Sequence, residues 1–301
     1  MSTMDLIQLN NGSFIPQMGY GSAIVNNHIH SVKSLLRECK ILVKNKRQHR
    51  LNMALSGCVD SAMKNHLNMF DTSMAYGQSE LVIGKTLKKY KREDFYIVTK
   101  LCNHSQYEGN IRKALEESLK HLGVDYVDMY LMHWPVSDIY QDSWKEMEKL
   151  YEEKMCRAIG VCNFDTNHFS ELEKTANIIP AVNQIECHPL FTQNELRGYC
   201  NERGIKVMAY TPTARMDERL KKTVIVPIAK KYNKSIAQVI LRWHIQIGNI
   251  PIVNSNNPNH VSENMKIFDF ELTKEEIDKI LKININSRLR YDPNNCDFRQ
   301  L

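Results

Sequence analysis

The chain alternates between short apolar runs and longer segments in which hydrophobic residues recur every three or four positions. The short runs are rich in β-branched and aliphatic residues, which is typical of buried strands, whereas the longer period is typical of amphipathic helices. Eight candidate strands follow one another at residues 17–22, 68–72, 95–99, 127–133, 158–163, 181–186, 206–210 and 250–253. The pattern therefore predicts an α/β protein assembled from repeated strand–helix units.

Amphipathic helical stretches separate the strands, at residues such as 79–90, 109–122, 144–154, 194–203 and 235–247. The second shows the pattern clearly, because one face carries Ile111, Ala114, Leu115, Leu119 and Leu122. Lysine and glutamate side chains occupy the opposite face, at positions 113, 116, 117 and 120. A helix of this kind buries its apolar stripe and leaves its charges in water.

Eight strand–helix units can form either a closed barrel or an open doubly wound sheet. An open dinucleotide-binding sheet would place a Gly-x-Gly-x-x-Gly turn directly after its first strand, and no such run follows residues 17–22. We therefore predict a (β/α)8 TIM barrel. Two short apolar runs flank an Asn-Gly turn within residues 6–16, which predicts an N-terminal β-hairpin that closes one end. No linker or internal repeat divides the chain, so we expect a single barrel domain over residues 1–301.

Residues 24–55 form a divergent insertion, because they separate the first two strands by far more than the usual spacing. One helical face of this segment carries Val32, Leu35, Leu36, Cys39, Leu42 and Val43. We predict an extra basic helix inserted after the first strand and docked on the barrel. The alternative is a contact with a membrane surface or an acidic partner, since a basic amphipathic helix suits both.

The formal net charge of +6 has one source. Residues 33–50 contain seven bases and one acid, so the rest of the chain holds 33 bases and 33 acids. A neutral body with one basic segment is not the pattern of a nucleic-acid-binding surface. We therefore expect no nucleic-acid partner.

Cysteine usage and hydropathy point to a cytoplasmic location. The eight cysteines include no Cys-x-x-Cys pair, which argues against a metal site and against a disulfide framework. The first residues lack the basic start and apolar stretch of a signal peptide, and no run is long enough to span a bilayer. We expect a protein with free thiols, no stable membrane insertion and, as its simplest assembly, a monomer.

Four polar residues stand at or just after the ends of consecutive candidate strands. Asp71 and Tyr76 follow the second strand, Lys100 follows the third, and His133 follows the fourth. In a barrel these carboxyl ends meet at one rim, where such folds place their active sites. The four side chains are therefore expected to converge.

Together these side chains suit the reduction of a carbonyl group. Hydride addition to the carbon builds negative charge on the oxygen, so a positioned acid must deliver a proton. Tyr76 supplies that acid, and Lys100 is expected to lower its pKa from the ordinary value of about 10 while Asp71 orients the lysine. His133 is placed to hydrogen-bond the substrate oxygen. Taken singly, each residue also fits a capping turn, a rim aromatic, a solvated charge or a packed loop histidine.

Several longer stretches make the chain resemble the aldo-keto reductase family. They are FDTSMAYG at 70–77, VTKL at 98–101, ALEESLKHLGVDYVDMYLMHWP at 114–135, AIGVCNF at 158–164 and VNQIECHP at 182–189. The resemblance covers nearly the whole chain outside residues 24–55. It implies NADP(H) bound across the top of the barrel, with Asp71, Tyr76, Lys100 and His133 in the catalytic roles given above.

The resemblance also implies binding residues. Asn163 and Gln184 match positions that hold the nicotinamide carboxamide, and Tyr210 matches the aromatic residue that stacks on the nicotinamide ring. A ring held in this way presents one face of C4, which makes hydride transfer stereospecific. Further cofactor contacts are expected from Ser22, Cys162, Thr211, Ser255, His260 and Asn264, and substrate contacts from Tyr76, Cys102, His133 and Trp134.

Departures from the family pattern change the expected specificity. Asn254 and His260 replace the lysine and arginine that clasp the adenosine 2′-phosphate, so permanent positive charge is lost there. We expect weaker discrimination for NADPH, with NADH as an alternative cofactor, because charge-assisted contacts are the stronger ones. Cys162 replaces a serine, Cys102 stands in place of a pocket-wall tryptophan, and the loop 136–142 is short. These changes predict a more open site.

The sequence therefore predicts an NAD(P)H-dependent reductase of aldehydes or ketones that acts on a small carbonyl compound. The alternative is a catalytically weak or inactive barrel that serves as a regulatory or structural NADP-binding protein.

Overall fold

The computed structural model describes residues 5–23 and 37–300, and the side chains of these residues except at 37–46 and 300. The strands are β1 Leu6–Gln8, β2 Phe14–Pro16, β3 Gly19–Gly21, β4 Met69–Asp71, β5 Tyr96–Leu101, β6 Met129–Met132, β7 Ile159–Cys162, β8 Val182–Glu186, β9 Lys206–Tyr210 and β10 Ile250–Val253. The helices are α1 Arg37–Lys64, α2 Ser79–Leu87, α3 Asn103–Tyr107, α4 Ile111–Leu122, α5 Tyr140–Glu152, α6 Thr166–Leu172, α7 Asn194–Glu202, α8 Ile225–Tyr232, α9 Ile236–Gln246, α10 Pro258–Asn264 and α11 Lys274–Leu281.

Strands β3 to β10 form a closed barrel of parallel strands. The last strand closes it, because β10 pairs with β9 at Ile250↔Met208 and with β3 at Ile252↔Gly19. Each of the eight predicted strands is present in its predicted place, and most are one to three residues shorter than the apolar run. The prediction of a (β/α)8 barrel is confirmed.

The N-terminal hairpin is also confirmed. Strands β1 and β2 pair antiparallel with Leu6 opposite Pro16, and the turn between them passes through Gly12 at φ +83°. Leu9 and Ile15 are buried in one cluster with side chains from the barrel interior, including Val98. The hairpin therefore closes the end of the barrel opposite the carboxyl ends of its strands.

The helices cover the barrel through the stripes that the sequence predicts. All five apolar residues of the α4 stripe are buried, at 9% exposure or less. They join one cluster with outward-facing side chains of the strands, such as Ile97 and Tyr130. The strands are thus buried on both faces, which explains why they lack the alternating pattern of a half-exposed sheet.

Helix α1 corrects the prediction of an extra helix. It runs without a break from Arg37 to Lys64, and its second half buries Leu55, Cys58 and Val59 between β3 and β4. A strand–helix unit needs its own helix at that place, so α1 is the first barrel helix, extended at its N-terminus by basic residues. Of the predicted stripe, residues 32, 35 and 36 lie outside the described residues, as do the side chains at 39, 42 and 43.

Helix α1 packs against α2 and α10. These helices follow the rim loops after β4 and β10, respectively. The Ser61 hydroxyl donates to the Pro258 carbonyl at 2.8 Å, and the Asn52 amide donates to Gln78 Oε1 at 2.6 Å. Two separate segments of the rim are thereby supported by the same helix.

Three features bear on membranes, metals and thiols within residues 5–23 and 37–300. No helix there combines the length and hydropathy needed to cross a bilayer. No three His, Cys, Asp or Glu side chains of that part of the chain gather as a metal site. The seven cysteines whose side chains are described are free thiols, and five of them are buried.

Candidate active site

A cleft of about 630 Å³ opens at the rim formed by the carboxyl ends of the barrel strands. The loops that follow the strands supply its walls, as expected for a barrel whose active site is built from such loops. Twelve of the predicted site residues line it: Asp71, Tyr76, His133, Trp134, Cys162, Asn163, Gln184, Tyr210, Thr211, Ser255, His260 and Asn264.

A buried ion pair lies at the floor of the cleft. Lys100 Nζ donates to Asp71 Oδ1 at 2.6 Å and to the Thr72 carbonyl at 2.8 Å, and the two charged side chains are only 1% and 5% exposed. The second carboxylate oxygen of Asp71 accepts a hydrogen bond from Gln184 Nε2 at 2.7 Å. Burial is the largest single influence and lowers the pKa of Lys100, but the charges of Asp71, Tyr76 and Cys162 and the hydrogen bond to Asp71 together raise it above its ordinary value, so the ammonium stays charged.

Tyr76 is presented to the cleft by a short 3₁₀ turn, Met74–Tyr76. Ser73 begins this turn by accepting a hydrogen bond from the Ala75 amide at 3.2 Å, and Gly77 ends it at φ +63°. The tyrosine ring centre lies 5.0 Å from Lys100 Nζ. Local turn chemistry and the lysine on the next strand thus set the position of the phenol.

The pKa of Tyr76 differs from the prediction. Burial of the phenol raises this pKa, and the Lys100 ammonium lowers it by less, so the net shift is upward. The expected lowering is therefore wrong for this site without a bound molecule, because desolvation of the phenolate outweighs the attraction of the ammonium. The phenol consequently holds its proton at neutral pH, which is the state a proton donor requires.

His133 lies beside Tyr76 in the cleft. Its Nε2 is 3.4 Å from the Tyr76 hydroxyl, and the two rings meet edge to face at a centroid distance of 5.7 Å. Burial, then the charges of Lys100 and Arg290, lower the pKa of His133 to about 3. A neutral imidazole at this place can offer one N–H to an oxygen atom bound between it and the phenol.

A second hydrogen-bonded group adjoins His133. The Tyr210 hydroxyl donates to Asn163 Oδ1 at 2.7 Å, and Asn163 Nδ2 donates to the His133 carbonyl at 3.0 Å. Asn163 takes the left-handed conformation at φ +61°, which directs its amide across the barrel mouth. Gln184 Oε1 makes no hydrogen bond to the described residues. A planar ring with an amide group fits here, against Tyr210 and with Gln184 Oε1 as acceptor.

Three predicted site residues do not line the cleft. Lys100 lies beneath it, where it acts through Asp71 and Tyr76 rather than by direct contact. Ser22 is 1% exposed, and its hydroxyl donates to the Asp71 carbonyl at 3.0 Å. Cys102 lies 3.2 Å from the Ser105 hydroxyl, away from the cleft.

Trp134, one of the predicted substrate residues, forms part of the cleft wall beside His133. Trp134 packs on Phe298 at a centroid distance of 6.2 Å, and both belong to one buried cluster with Val136. Its carbonyl accepts a hydrogen bond from Gln106 Nε2 at 3.1 Å. The C-terminal segment thus supports Trp134 from behind, whereas Cys102, where the sequence predicts a lower wall, does not line the cleft.

The far end of the cleft is lined by the segment that departs from the family pattern. Asn254, Ser255, His260 and Asn264 lie there. The Asn254 amide donates to the Ala23 carbonyl at 2.7 Å, which ties the residue after β10 to the segment that follows β3. The two positions at which the family pattern has a lysine and an arginine thus line the same space.

Sequence reasoning missed several residues of the cleft, among them Arg215, Met216 and Arg290. The first two follow β9 in a strained turn, with φ values of +52° and +56°. Arg290 belongs to an irregular C-terminal segment with neither helical nor strand periodicity, so only the folded chain could place it.

Comparison with known proteins gives the same picture as the geometry. A family model described as the aldo/keto reductase family matches residues 44–285. The chain is 39% identical to a glyoxal reductase of Bacillus subtilis (strain 168) over 298 residues, which cover 99% of each protein. It is 42% identical over 229 residues to a 9,11-endoperoxide prostaglandin H2 reductase of Trypanosoma cruzi (strain CL Brener), covering 75% of this chain and 81% of the relative.

Solved structures agree over nearly the full length. An aldo/keto reductase from Brucella melitensis superposes with a TM-score of 0.79 at 36% identity, covering 93% of this chain and all of its own. An aldo-keto reductase of Bombyx mori, solved in complex with NADP, gives a TM-score of 0.81 at 29% identity and covers 98% of this chain and 97% of its own. The matched length, the barrel and the residues gathered in its cleft lead to one conclusion: the chain belongs to the aldo-keto reductase family, a family of oxidoreductases.

Proposed function

We propose that this protein reduces aldehydes or ketones to alcohols, with a hydride from NADPH and a proton from Tyr76. One observation carries the proposal: the Tyr76 hydroxyl lies 3.4 Å from Nε2 of a neutral His133, and the ammonium of the buried Asp71–Lys100 pair lies 5.0 Å from the centre of the Tyr76 ring. Curated relatives support it, since they include the glyoxal reductase above and a methylglyoxal reductase of Salmonella typhimurium that is 35% identical over 298 residues. We propose small aldehydes of this kind as first substrates.

Each side chain has a defined task in this reaction. A carbonyl oxygen placed between the Tyr76 hydroxyl and His133 Nε2 accepts a hydrogen bond from both, which polarises the carbonyl. As charge grows on that oxygen, Tyr76 transfers its proton, and the Lys100 ammonium stabilises the phenolate left behind. Asp71 holds the lysine in place through the 2.6 Å contact.

The cleft fits a nicotinamide dinucleotide, which supplies the hydride when bound. In this proposal Gln184 Oε1 and Asn163 would hold the carboxamide, and Tyr210 would stack on the ring; all three line the cleft. Ser255, His260 and Asn264 would bind the adenosine end, and Cys162 and Thr211 would contact the cofactor between the two ends. Asn254 and His260 stand at the positions where the family pattern has a lysine and an arginine for the 2′-phosphate. Because these charges are missing, we propose that NADH is also used. Assembly as a monomer and a cytoplasmic location stay predictions from the sequence.

The proposal is tested by substituting phenylalanine for Tyr76. With glyoxal and methylglyoxal as substrates, we expect Tyr76→Phe to lose at least about a hundredfold in kcat, because a general acid contributes at least this much. NADPH affinity, measured by fluorescence titration, should stay near that of the wild type.

A matched control is Tyr130→Phe. Tyr130 lies on β6, is buried, and its hydroxyl has no hydrogen-bond partner among the described residues. This variant should reduce both aldehydes at the wild-type rate. Equal rates for the wild type and Tyr76→Phe would refute the proposed proton donor, and no turnover by the wild type would favour the regulatory or structural alternative.

A further inference from the structure

Arg290 is an exposed cation on the lining of the cleft that the proposed mechanism does not use. It lines the same space as Tyr76, His133 and Tyr210. Its guanidinium makes no hydrogen bond or ion pair with any residue that the structure describes. It is close enough to His133 to contribute to the lowered pKa of that imidazole.

The backbone at Arg290 is held firmly. Glu186, at the end of β8, is 1% exposed, and its carboxylate accepts hydrogen bonds from the Leu289 amide at 2.6 Å and the Arg290 amide at 3.0 Å. The same carboxylate is 3.0 Å from His188 Nε2. A buried carboxylate thus fixes an irregular segment to the barrel, and the Arg290 side chain starts from a defined position on the rim.

The acids that line the cleft form no ion pair with Arg290. Two acids line the cleft: Asp71, which is paired with Lys100, and Glu263, which belongs to α10 at the far end. The neighbouring Arg288 differs, because its guanidinium lies 4.6 Å from the centre of the Phe191 ring and does not line the cleft. A second guanidinium, that of Arg215, also lines the cleft, but Arg290 is the one whose charge acts on His133. The part of the cleft beside His133 therefore offers a guanidinium without a counter-charge from the cleft lining.

We propose that Arg290 is a specificity-determining residue that selects carbonyl substrates bearing an anionic group, a carboxylate or a phosphate, away from the reacting carbonyl. This inference rests on the proposed reductase function. A guanidinium binds either group through two parallel hydrogen bonds. Its attraction for an anion is stronger in a cleft than on an open surface. The anionic group lies at Arg290 while the carbonyl oxygen lies at Tyr76 and His133, so the substrate is held at two points.

The test compares an anionic aldehyde with its neutral ester. The ratio of kcat/KM for 4-carboxybenzaldehyde to that for methyl 4-formylbenzoate should fall about tenfold in Arg290→Gln, the usual scale of one charge-assisted contact. Arg290→Lys keeps the charge without the planar fork and should keep part of the preference. The matched control, Arg288→Gln, removes the same charge two residues away and should leave the ratio unchanged. Glyceraldehyde 3-phosphate against glyceraldehyde shows whether phosphate is selected in the same way.

Several results would overturn the inference. An unchanged ratio in Arg290→Gln would do so, as would an equal fall in Arg288→Gln, which would indicate a general field effect. A raised KM for NADPH in place of a changed ratio would assign Arg290 to the cofactor. If the wild type reduced no aldehyde, the proposed function would fail, and calorimetric titration with 4-carboxybenzaldehyde would still decide the anion site: it stands if Arg290→Gln alone weakens binding, and falls otherwise.

Discussion

At the scale of single residues, the cleft depends on a buried charge pair that serves several neighbours. Asp71 accepts from Lys100 and from Gln184, so one carboxylate fixes a residue beneath the cleft and a residue in its wall. A buried ion that loses its partner is strongly destabilising. The sequence places these side chains at one rim, because parallel strand ends converge there. It does not give the sign of the Tyr76 pKa shift, since that sign depends on how deeply the phenol is buried.

Cofactor preference is a second property set by single residues. Asn254 and His260 line the cleft, and neither carries a permanent positive charge. The double substitution Asn254→Lys and His260→Arg adds two such charges. We expect the ratio of kcat/KM for NADPH to that for NADH to rise about tenfold or more, because each new charge strengthens hydrogen bonds to a phosphate. Steady-state rates with both cofactors and one aldehyde measure this ratio.

The control for this substitution adds the same charges outside the cleft. Asn256→Lys with Asn259→Arg changes the same segment at two exposed positions that do not line the cleft. This variant should keep the wild-type ratio. A strong preference for NADPH in the wild type would contradict the premise that the loss of charge at 254 and 260 weakens discrimination.

At the scale of elements, two helices of the outer ring approach each other closely at one glycine. A Cβ atom added to Gly84 in α2 would lie 2.4 Å from the Leu122 carbonyl oxygen at the end of α4. Backbone cannot move aside as a flexible side chain can, so this contact is a fixed part of the α2–α4 packing. The apolar stripes predict that both helices face the barrel, but they say nothing about how near the helices come to one another.

This contact predicts opposite effects for the same substitution in two helices. Gly84→Ala should lower the free energy of unfolding by about 1 to 3 kcal/mol, because overpacking outweighs the better helix propensity of alanine. Gly198 in α7 has nothing within 4 Å of an added Cβ. Gly198→Ala should therefore raise stability by up to about 1 kcal/mol. Urea denaturation of both variants measures the difference, and a stabilised Gly84→Ala would contradict the close approach.

The elements differ in how well the sequence pattern predicts them. Strands such as Lys206–Tyr210 and Ile250–Val253 have the bounds that their apolar runs predict, because the central positions of a strand that is buried on both faces must be apolar. The prediction of a separate basic helix is wrong, because the basic residues at the start of α1 belong to the same helix as the buried turns around Cys58. The position of Arg290 was out of reach, because its anchor Glu186 lies 104 residues away in sequence.

At the scale of the whole molecule, charge is distributed unevenly along the chain. The family match begins at residue 44, so it leaves out most of the basic segment 33–50. The barrel itself carries balanced charge, and its ion pairs are mainly exposed ones, such as Lys149–Glu146, that contribute little to stability. Electrostatic effects on stability should therefore come from the few titratable groups that folding buries.

Two such groups are histidines that folding keeps neutral. Burial, partly offset by a contact with the Pro212 carbonyl, lowers the pKa of His244 to about 3, and burial lowers that of His133 to the same value. An unfolded chain binds protons at these histidines near the ordinary pKa of about 6.5. Between these two values the unfolded state holds more protons than the folded state, so stability falls as pH falls from about 6.5 towards 3. At pH 5 the loss is about 2 kcal/mol for each histidine.

Substitution of His244 isolates this effect. In the folded protein its Nε2 is 3.0 Å from the Pro212 carbonyl and its Nδ1 is 3.1 Å from Asn249 Nδ2, and glutamine can keep both contacts. His244→Gln should lose about 2 kcal/mol less than the wild type when urea denaturation at pH 8 is repeated at pH 5. His104→Gln removes an exposed histidine and should behave as the wild type does.

Asp128, whose pKa burial raises, changes stability with pH in the opposite direction. It does so equally in all three proteins, so its effect cancels from the comparison. Equal losses in His244→Gln and the wild type would mean that His244 is protonated in the folded barrel, and that its contact with the Pro212 carbonyl outweighs its burial.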